Sequence, residues 1–101
     1  MKRIEVEGLP DDPLAAAGLF HQNWTDPIER ALGGGQDVLV ALESADHTHS
    51  EWRKAAAAML ARKHTPRRVN LVAGEGEALA AIETYLAAAP GVTGQYLEAA
   101  L

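Results

Sequence analysis

The chain has 101 residues, 48% hydrophobic and 5% aromatic, with a formal net charge of −5 and no cysteine. This length suits one domain with a modest core. The acidic balance argues against nucleic acid, whose affinity comes mainly from Lys and Arg on phosphates. The missing cysteines exclude disulfides, thiolate catalysis and Cys-based zinc sites. Met1 to Glu7 lacks the apolar core of a signal peptide, and no apolar run approaches the roughly 18 residues of a membrane span. Together these points predict a soluble cytoplasmic protein with no nucleic-acid or membrane partner. The charge is uneven: residues 1–50 hold nine acids and three bases, residues 51–101 five acids and six bases. Head-to-tail attraction between copies and ordinary solvated faces both account for this.

Arg3 to Val6 alternates polar and apolar residues, which predicts a short strand ended by Gly8-Leu9-Pro10. Asp12 is a helix N-cap with Pro13 at the first helical position. Leu14, Ala17, His21, Trp24, Ile28 and Ala31 then recur at helical spacing, predicting one apolar stripe over 13–32. Pro27 falls inside it and should kink or restart the helix, with Thr25 or Asp26 as a new cap. Gly33-Gly34-Gly35 stops it. Asp37 to Leu42 reads as a strand buried on both faces. Glu43 to Ser50 is a polar connection. Thr48 and Glu51 have capping-box spacing, so a helix should begin near His49 and run to Lys63. Trp52, Ala55, Ala56, Met59 and Leu60 form its apolar side. Ala57, Ala58 and Ala61 leave so little polar surface that cover on more than one side is expected.

The central stretch is Arg67 to Gly74. Its apolar run, Val69 to Ala73, follows Pro66 and a basic pair and ends at a Gly, as a doubly buried parallel strand would. Gly74-Glu75-Gly76 is a turn, Glu77 to Ala89 a helix carrying Leu79, Ile82 and Leu86, and Gln95 to Leu97 a brief last strand. The order βαβαβαβ with right-handed crossovers predicts an α/β fold: a four-stranded, mostly parallel sheet with helices on its faces.

Two motifs carry a resemblance. Lys54-Ala55-Ala56 on a helix leads into Arg68-Val69-Asn70-Leu71-Val72-Ala73-Gly74, and Val92-Thr93-Gly94-Gln95-Tyr96-Leu97 follows in register. In order and spacing, residues 50–98 resemble the C-terminal half of short-chain dehydrogenases/reductases. Residues 1–49 fit the preceding helix and strand more loosely. The resemblance implies a single truncated Rossmann-like domain of three layers over 1–101, with Lys54 in the place of the family's catalytic Lys. It also implies that helices 13–32 and 51–63 form a subunit interface, either in a homodimer or against a full-length dehydrogenase. Trp24, Ile28, Trp52, Ala55, Ala56 and Met59 are its candidate residues, since small residues permit close helix packing and aromatics anchor interfaces.

The departures from that family bear on function. A dinucleotide needs Gly where a strand runs into a helix, so that backbone N–H groups meet the pyrophosphate. Gly33-Gly34-Gly35 follows a helix and precedes a strand, and the turn at Leu9 to Pro13 carries two Asp residues that repel phosphate. No cofactor is therefore expected. The position of the catalytic Tyr, four residues before Lys54, is Ser50. Ser44 lies near the place of the catalytic Ser, but only five residues separate it from Ser50, so the substrate loop is absent. Ala73-Gly74 lacks the usual Pro.

The remaining candidates are Ser44, Ser50 and Lys54 for catalysis and His47 with His49, beside Asp46 and Glu51, for a metal. Two histidines are not a zinc site, and a polar loop leading into a capped helix explains them equally. Asp46, His49 and Ser50 are sequence neighbours without a strained elbow or oxyanion hole, so a triad is disfavoured. Glu75 and Glu77 argue against an anion at Gly74-Glu75-Gly76. His21, on an apolar stripe, reads as a packed histidine. The reading that best fits is a non-catalytic module acting by association. The alternative is a small enzyme or ligand binder at the strand C-terminal ends, lined by Ser44, His47, His49, Ser50, Lys54 and Gly74.

Overall fold

The computed structural model describes residues 1–99. In chain order the elements are β1 (Lys2–Val6), α1 (Pro13–Asn23), α2 (Thr25–Gly33), β2 (Val38–Leu42), a 3-10 turn (His47–His49), α3 (Ser50–Lys63), β3 (Val69–Ala73), α4 (Gly76–Ala87) and β4 (Tyr96–Glu98). The strands lie side by side in the order β1-β2-β3-β4, and every pairing is parallel. Val6, Leu42, Ala73 and Glu98 fall in register at the C-terminal edge.

β2 and β3 are buried along their whole length. One side of β2, Val38, Val40 and Leu42, packs with Phe20, Ile28, Leu32, Ala56, Ala57 and Leu60 from α1, α2 and α3. The other side, Leu39 and Ala41, packs with Val72 and with Leu79 and Leu86 of α4. Helices therefore cover both faces, and the domain is a small three-layer α/β Rossmann-like fold. Because β1 to β4 step across the sheet in one direction, placing α4 on the face opposite α1–α3 gives the last crossover the opposite hand to the first two. This corrects the expectation of one hand throughout. Central strands that are apolar on both sides need cover on both, and α4 is the helix that covers the second face.

The details follow local chemistry. The Asp12 carboxylate accepts from the Ala15 N–H at 2.9 Å, capping α1 as expected. Pro27 restarts the helix, but the junction residue is Trp24, which has no side-chain cap bond. The capping box at Thr48 does not form. The Thr48 hydroxyl and N–H both bond the Asp46 carboxylate, which caps the 3-10 turn instead.

The apolar stripes expected from the sequence are buried only in part: Ile28, Ala31, Ala56 and Leu60 are in the core, the rest of each stripe is not. α1 buries Ala16 and Phe20, while Leu14 is 83% exposed. α3 buries Arg53, Ala56, Ala57, Leu60 and Ala61, leaving Ala55 and Met59 exposed and Trp52 half-buried. In Ala-rich helices small apolar residues occur on every side, so periodicity alone does not single out the core face.

The two motifs that carry the family resemblance meet in space. Asn70, fully buried on β3, donates to the Val92 carbonyl and accepts from the Gln95 N–H, both at 3.0 Å. Thr93 Oγ1 accepts from the Val69 N–H at 3.1 Å. Arg68 donates to the carbonyls of Leu86 and Ala89 at the end of α4, at 3.0 and 2.9 Å. Its Nε also reaches Asp37 at 3.2 Å. Arg68, Asn70 and Thr93 thus fix the α4–β4 connection onto β3.

Two carboxyls are held below their ordinary range. For Glu29 the main cause is the hydrogen bond from Lys63, then that from His64, which tie α2 to the end of α3. For Asp37 it is the Arg68 backbone N–H at 2.8 Å. A depressed folded-state value contributes stability above the unfolded-state value, and that contribution is lost as pH falls through the folded one. The melting temperature should therefore hold from neutral to about pH 5 and drop below about pH 4. Asp37→Asn should flatten that acid limb in a series of thermal melts.

Candidate functional site

The strand C-terminal edge is divided by the sheet into two recesses. On the α4 side a cavity of about 270 Å3 is lined by Arg3, Glu5, Glu7, Glu43, Gly74 and Glu75 over an apolar floor that includes Leu79. Gly74 is buried there with φ +150°, and a Cβ on it would lie 2.6 Å from the Ala99 Cβ. That close approach of the chain just after β4 accounts for the glycine. Four Glu side chains against one Arg make the recess acidic; of the two Glu residues beside Gly76, only Glu75 lines it.

On the α1/α3 side a smaller cavity, about 100 Å3, is lined by Val6, Leu9, Pro10, Asp11, Glu43, Ser44, Ala45, His49 and Arg53. The β1–α1 turn is pinned over it. The Gly8 N–H donates to Glu43 Oε1 at 3.2 Å. His49 Nε2 lies 2.9 Å from the Asp11 carbonyl. The Trp52 indole N–H donates to His49 Nδ1 at 3.1 Å. Nδ1 is therefore an acceptor, and Nε2 carries the proton donated to Asp11.

Of the residues singled out from sequence, this recess brings together Ser44 and His49 alone. Ser50 is half-buried as the first residue of α3, and Lys54 and His47 are exposed. None of the three lines either recess. His49, 5% exposed, has both ring nitrogens engaged, so it has no free lone pair to offer a metal beside His47. Among the described residues no group of three or more His, Cys, Asp or Glu side chains is placed to hold a metal ion. Nor does the Asp46, His49, Ser50 alignment form. The Asp46 carboxylate is bound to Thr48, which holds it below its ordinary range.

The residue that sequence reasoning missed is Arg53, which is 3% exposed. Its guanidinium lies 5.5 Å from the Trp52 ring and 5.6 Å from the Tyr96 ring. One terminal nitrogen donates to the Tyr96 hydroxyl at 3.0 Å. A signal existed: Arg53, Ala56, Ala57, Leu60 and Ala61 share one helical face at three- and four-residue spacing, a wholly buried face of which Arg53 is the charged member.

The proposed interface residues divide in two. Ile28 and Ala56, 0% and 1% exposed, belong to the chain's own core. Trp24 and Trp52 are half-buried against it. Ala55 and Met59 face outward with Leu14. Two open grooves follow the seam of α1 and α3. One is lined by Leu14, Ala17, Trp52 and Ala55, the other by His21, Met59 and Lys63.

No helix among the described residues is long and apolar enough to cross a membrane. Searches of curated proteins and of solved structures return no match. The family model described as SDR-like, Short chain dehydrogenase-like protein, matches residues 4–99. That span runs from within β1 through β4, including the Arg68, Asn70 and Thr93 contacts that join the two motifs. The chain belongs to the short chain dehydrogenase-like protein family.

Proposed function

We propose that this protein is a non-catalytic Rossmann-like module that acts by association, pairing with a second copy of itself through the outer face of α1 and α3. The observation that carries this reading is the apolar surface there. Leu14 is 83% and Met59 51% exposed, beside Ala17, Ala55 and the half-buried Trp52. Large apolar residues gathered on one face of a small domain mark an interaction site.

Self-pairing fits the order of charges on α3. Glu51, Ala55, Met59 and Lys63 recur every four residues along one outward stripe. A two-fold axis at residue 57 would set Ala55 against the other copy's Met59. It would also set Glu51 near the other copy's Arg62 and Lys63. The small Ala55 permits close helix approach, and an isologous C2 contact needs such self-complementarity.

A non-catalytic role is supported by the positions of the family's reactive groups. Ser50 stands where the Tyr would be, and Lys54 is exposed and lines neither recess. NAD(P)H turnover that disappears in Lys54→Met would overturn that part of the reading.

Leu14→Glu and Met59→Glu test the pairing. Each introduces a charge into the proposed contact from an exposed position. Each should weaken self-association at least tenfold while moving the monomer's melting temperature little. Unchanged self-association in both variants would refute this interface. Native mass spectrometry showing the wild-type chain bound one-to-one to a full-length dehydrogenase, with no homodimer, would assign the face to that partner instead.

A further inference from the structure

We infer that the recess between the β1–α1 turn and α3 is a binding site for one small oxyanion, a carboxylate or phosphoryl group, held by the guanidinium of Arg53. Three observations carry this. Arg53 is 97% buried, yet among the described residues no acidic side chain lies within the 4.0 Å of an ion pair. Its Nε is buried with no hydrogen-bond partner. The side chain lines a cavity of about 100 Å3 that also presents Ser44 and His49.

A buried cation with no counter-charge is costly, and an anion delivered to it offsets that cost. The Trp52 and Tyr96 rings favour the charge, but a ring face cannot satisfy an N–H in the guanidinium plane. The neutral Tyr96 hydroxyl accepts one donor and leaves the charge uncompensated. The cavity limits the ligand. Its volume holds a single oxyanion head with a water or two, far below the roughly 300 Å3 where sites for drug-sized ligands begin. Two carboxylates also line it, from Asp11 and Glu43, although one Glu43 oxygen is occupied by the Gly8 N–H. Together with the small volume, they select against a larger and more highly charged group such as a pyrophosphate. Ser44, near the place of the family's catalytic Ser, lines the recess, but Ser50 and Lys54, at the places of its Tyr and Lys, do not. The site is independent of pairing, because Arg53 points inward from α3.

The test is an NMR titration of the whole 15N-labelled chain with sodium acetate and, separately, sodium phosphate. Each is compared with sodium chloride at matched ionic strength, reading the Arg53 Nε–H and the Trp52 indole N–H. Both signals should shift saturably with at least one anion and not with chloride. A tighter response to acetate identifies a carboxylate ligand, and a tighter response to phosphate identifies a phosphoryl one. Arg53→Met should lose the saturable shift while keeping its melting temperature in chloride, since apolar replacement of an unpaired buried charge is neutral or stabilising. Arg53→Lys keeps the charge without the planar fork and should bind at least tenfold more weakly. A wild-type chain whose shifts match those in chloride, or an Arg53→Met chain that responds like the wild type at the Trp52 indole, would overturn the site. Neither result would alter the oligomeric state, so failure here leaves the pairing reading standing.

Discussion

Replacing Phe20 by Ala should destabilise the monomer by about 3–5 kcal/mol, whereas Leu14→Ala on the same helix should change it by no more than about 0.5 kcal/mol. Phe20 is fully buried, with its ring centroid 5.3 Å from that of Trp52. It is the largest side chain that α1 contributes to the core. Its removal leaves a cavity between α1, α3 and the sheet, and Ala-rich neighbours have little side chain with which to refill it. Leu14 touches solvent over most of its surface, so truncating it exposes nothing. Urea unfolding at a concentration where the chain is monomeric separates these effects from association. Equal losses in the two variants would mean that α1 packs by the other stripe.

Asn70→Ala should remove about 2–4 kcal/mol, more than the deletion of a surface amide could. The loss leaves the Gln95 N–H and the Val92 carbonyl without their partners in a buried setting. Asn70→Asp should do no better. A carboxylate can still accept from Gln95, but it cannot donate to Val92, and it places a charge on a fully buried strand. The damage should be local before it is global. Hydrogen exchange should show β4 and residues 88–95 losing protection ahead of β1 and β2. A uniform loss across the sheet would show that Asn70 stabilises the core generally and does not act as a clamp on this connection.

The strands and the order of elements are legible in the sequence because β2 and β3 are short, apolar and set off by Asp37, Pro66 and Gly74, and β1 alternates polar and apolar residues. β3 was read to the residue, since Arg68 before it and Gly74 after it interrupt the apolar run on both sides. The helix faces were harder to read. α1 is apolar nearly all round, so the stripe containing Leu14 and His21 and the one containing Ala16 and Phe20 look alike in sequence. In α1 the stripe expected from the sequence, through Leu14 and His21, faces outward, whereas its continuation at Ile28 and Ala31 in α2 is buried. The opposite hand of the last crossover was likewise invisible, because it depends on which face of β2 and β3 still needs cover.

The candidate site was legible in position and not in content. The strand C-terminal ends were expected, and Ser44 and His49 do meet there. Arg53 was not expected, because a charged residue at the start of a helix ordinarily reads as a solvated one. Its burial depends on the Trp52 and Tyr96 rings, and Tyr96 arrives from a strand 43 residues further on. The resembled family's motif at Arg68 to Gly74 drew attention to chemistry. In this chain its polar residues, Arg68 and Asn70, serve the α4–β4 connection.

The most direct test of the central claim is sedimentation equilibrium of the unmodified chain over a concentration series from about 1 to 100 μM. Pairing through α1 and α3 predicts a mass that rises with concentration toward twice the 10.7 kDa of the chain, with a single monomer–dimer constant. A mass that stays at one chain across the whole range would contradict it.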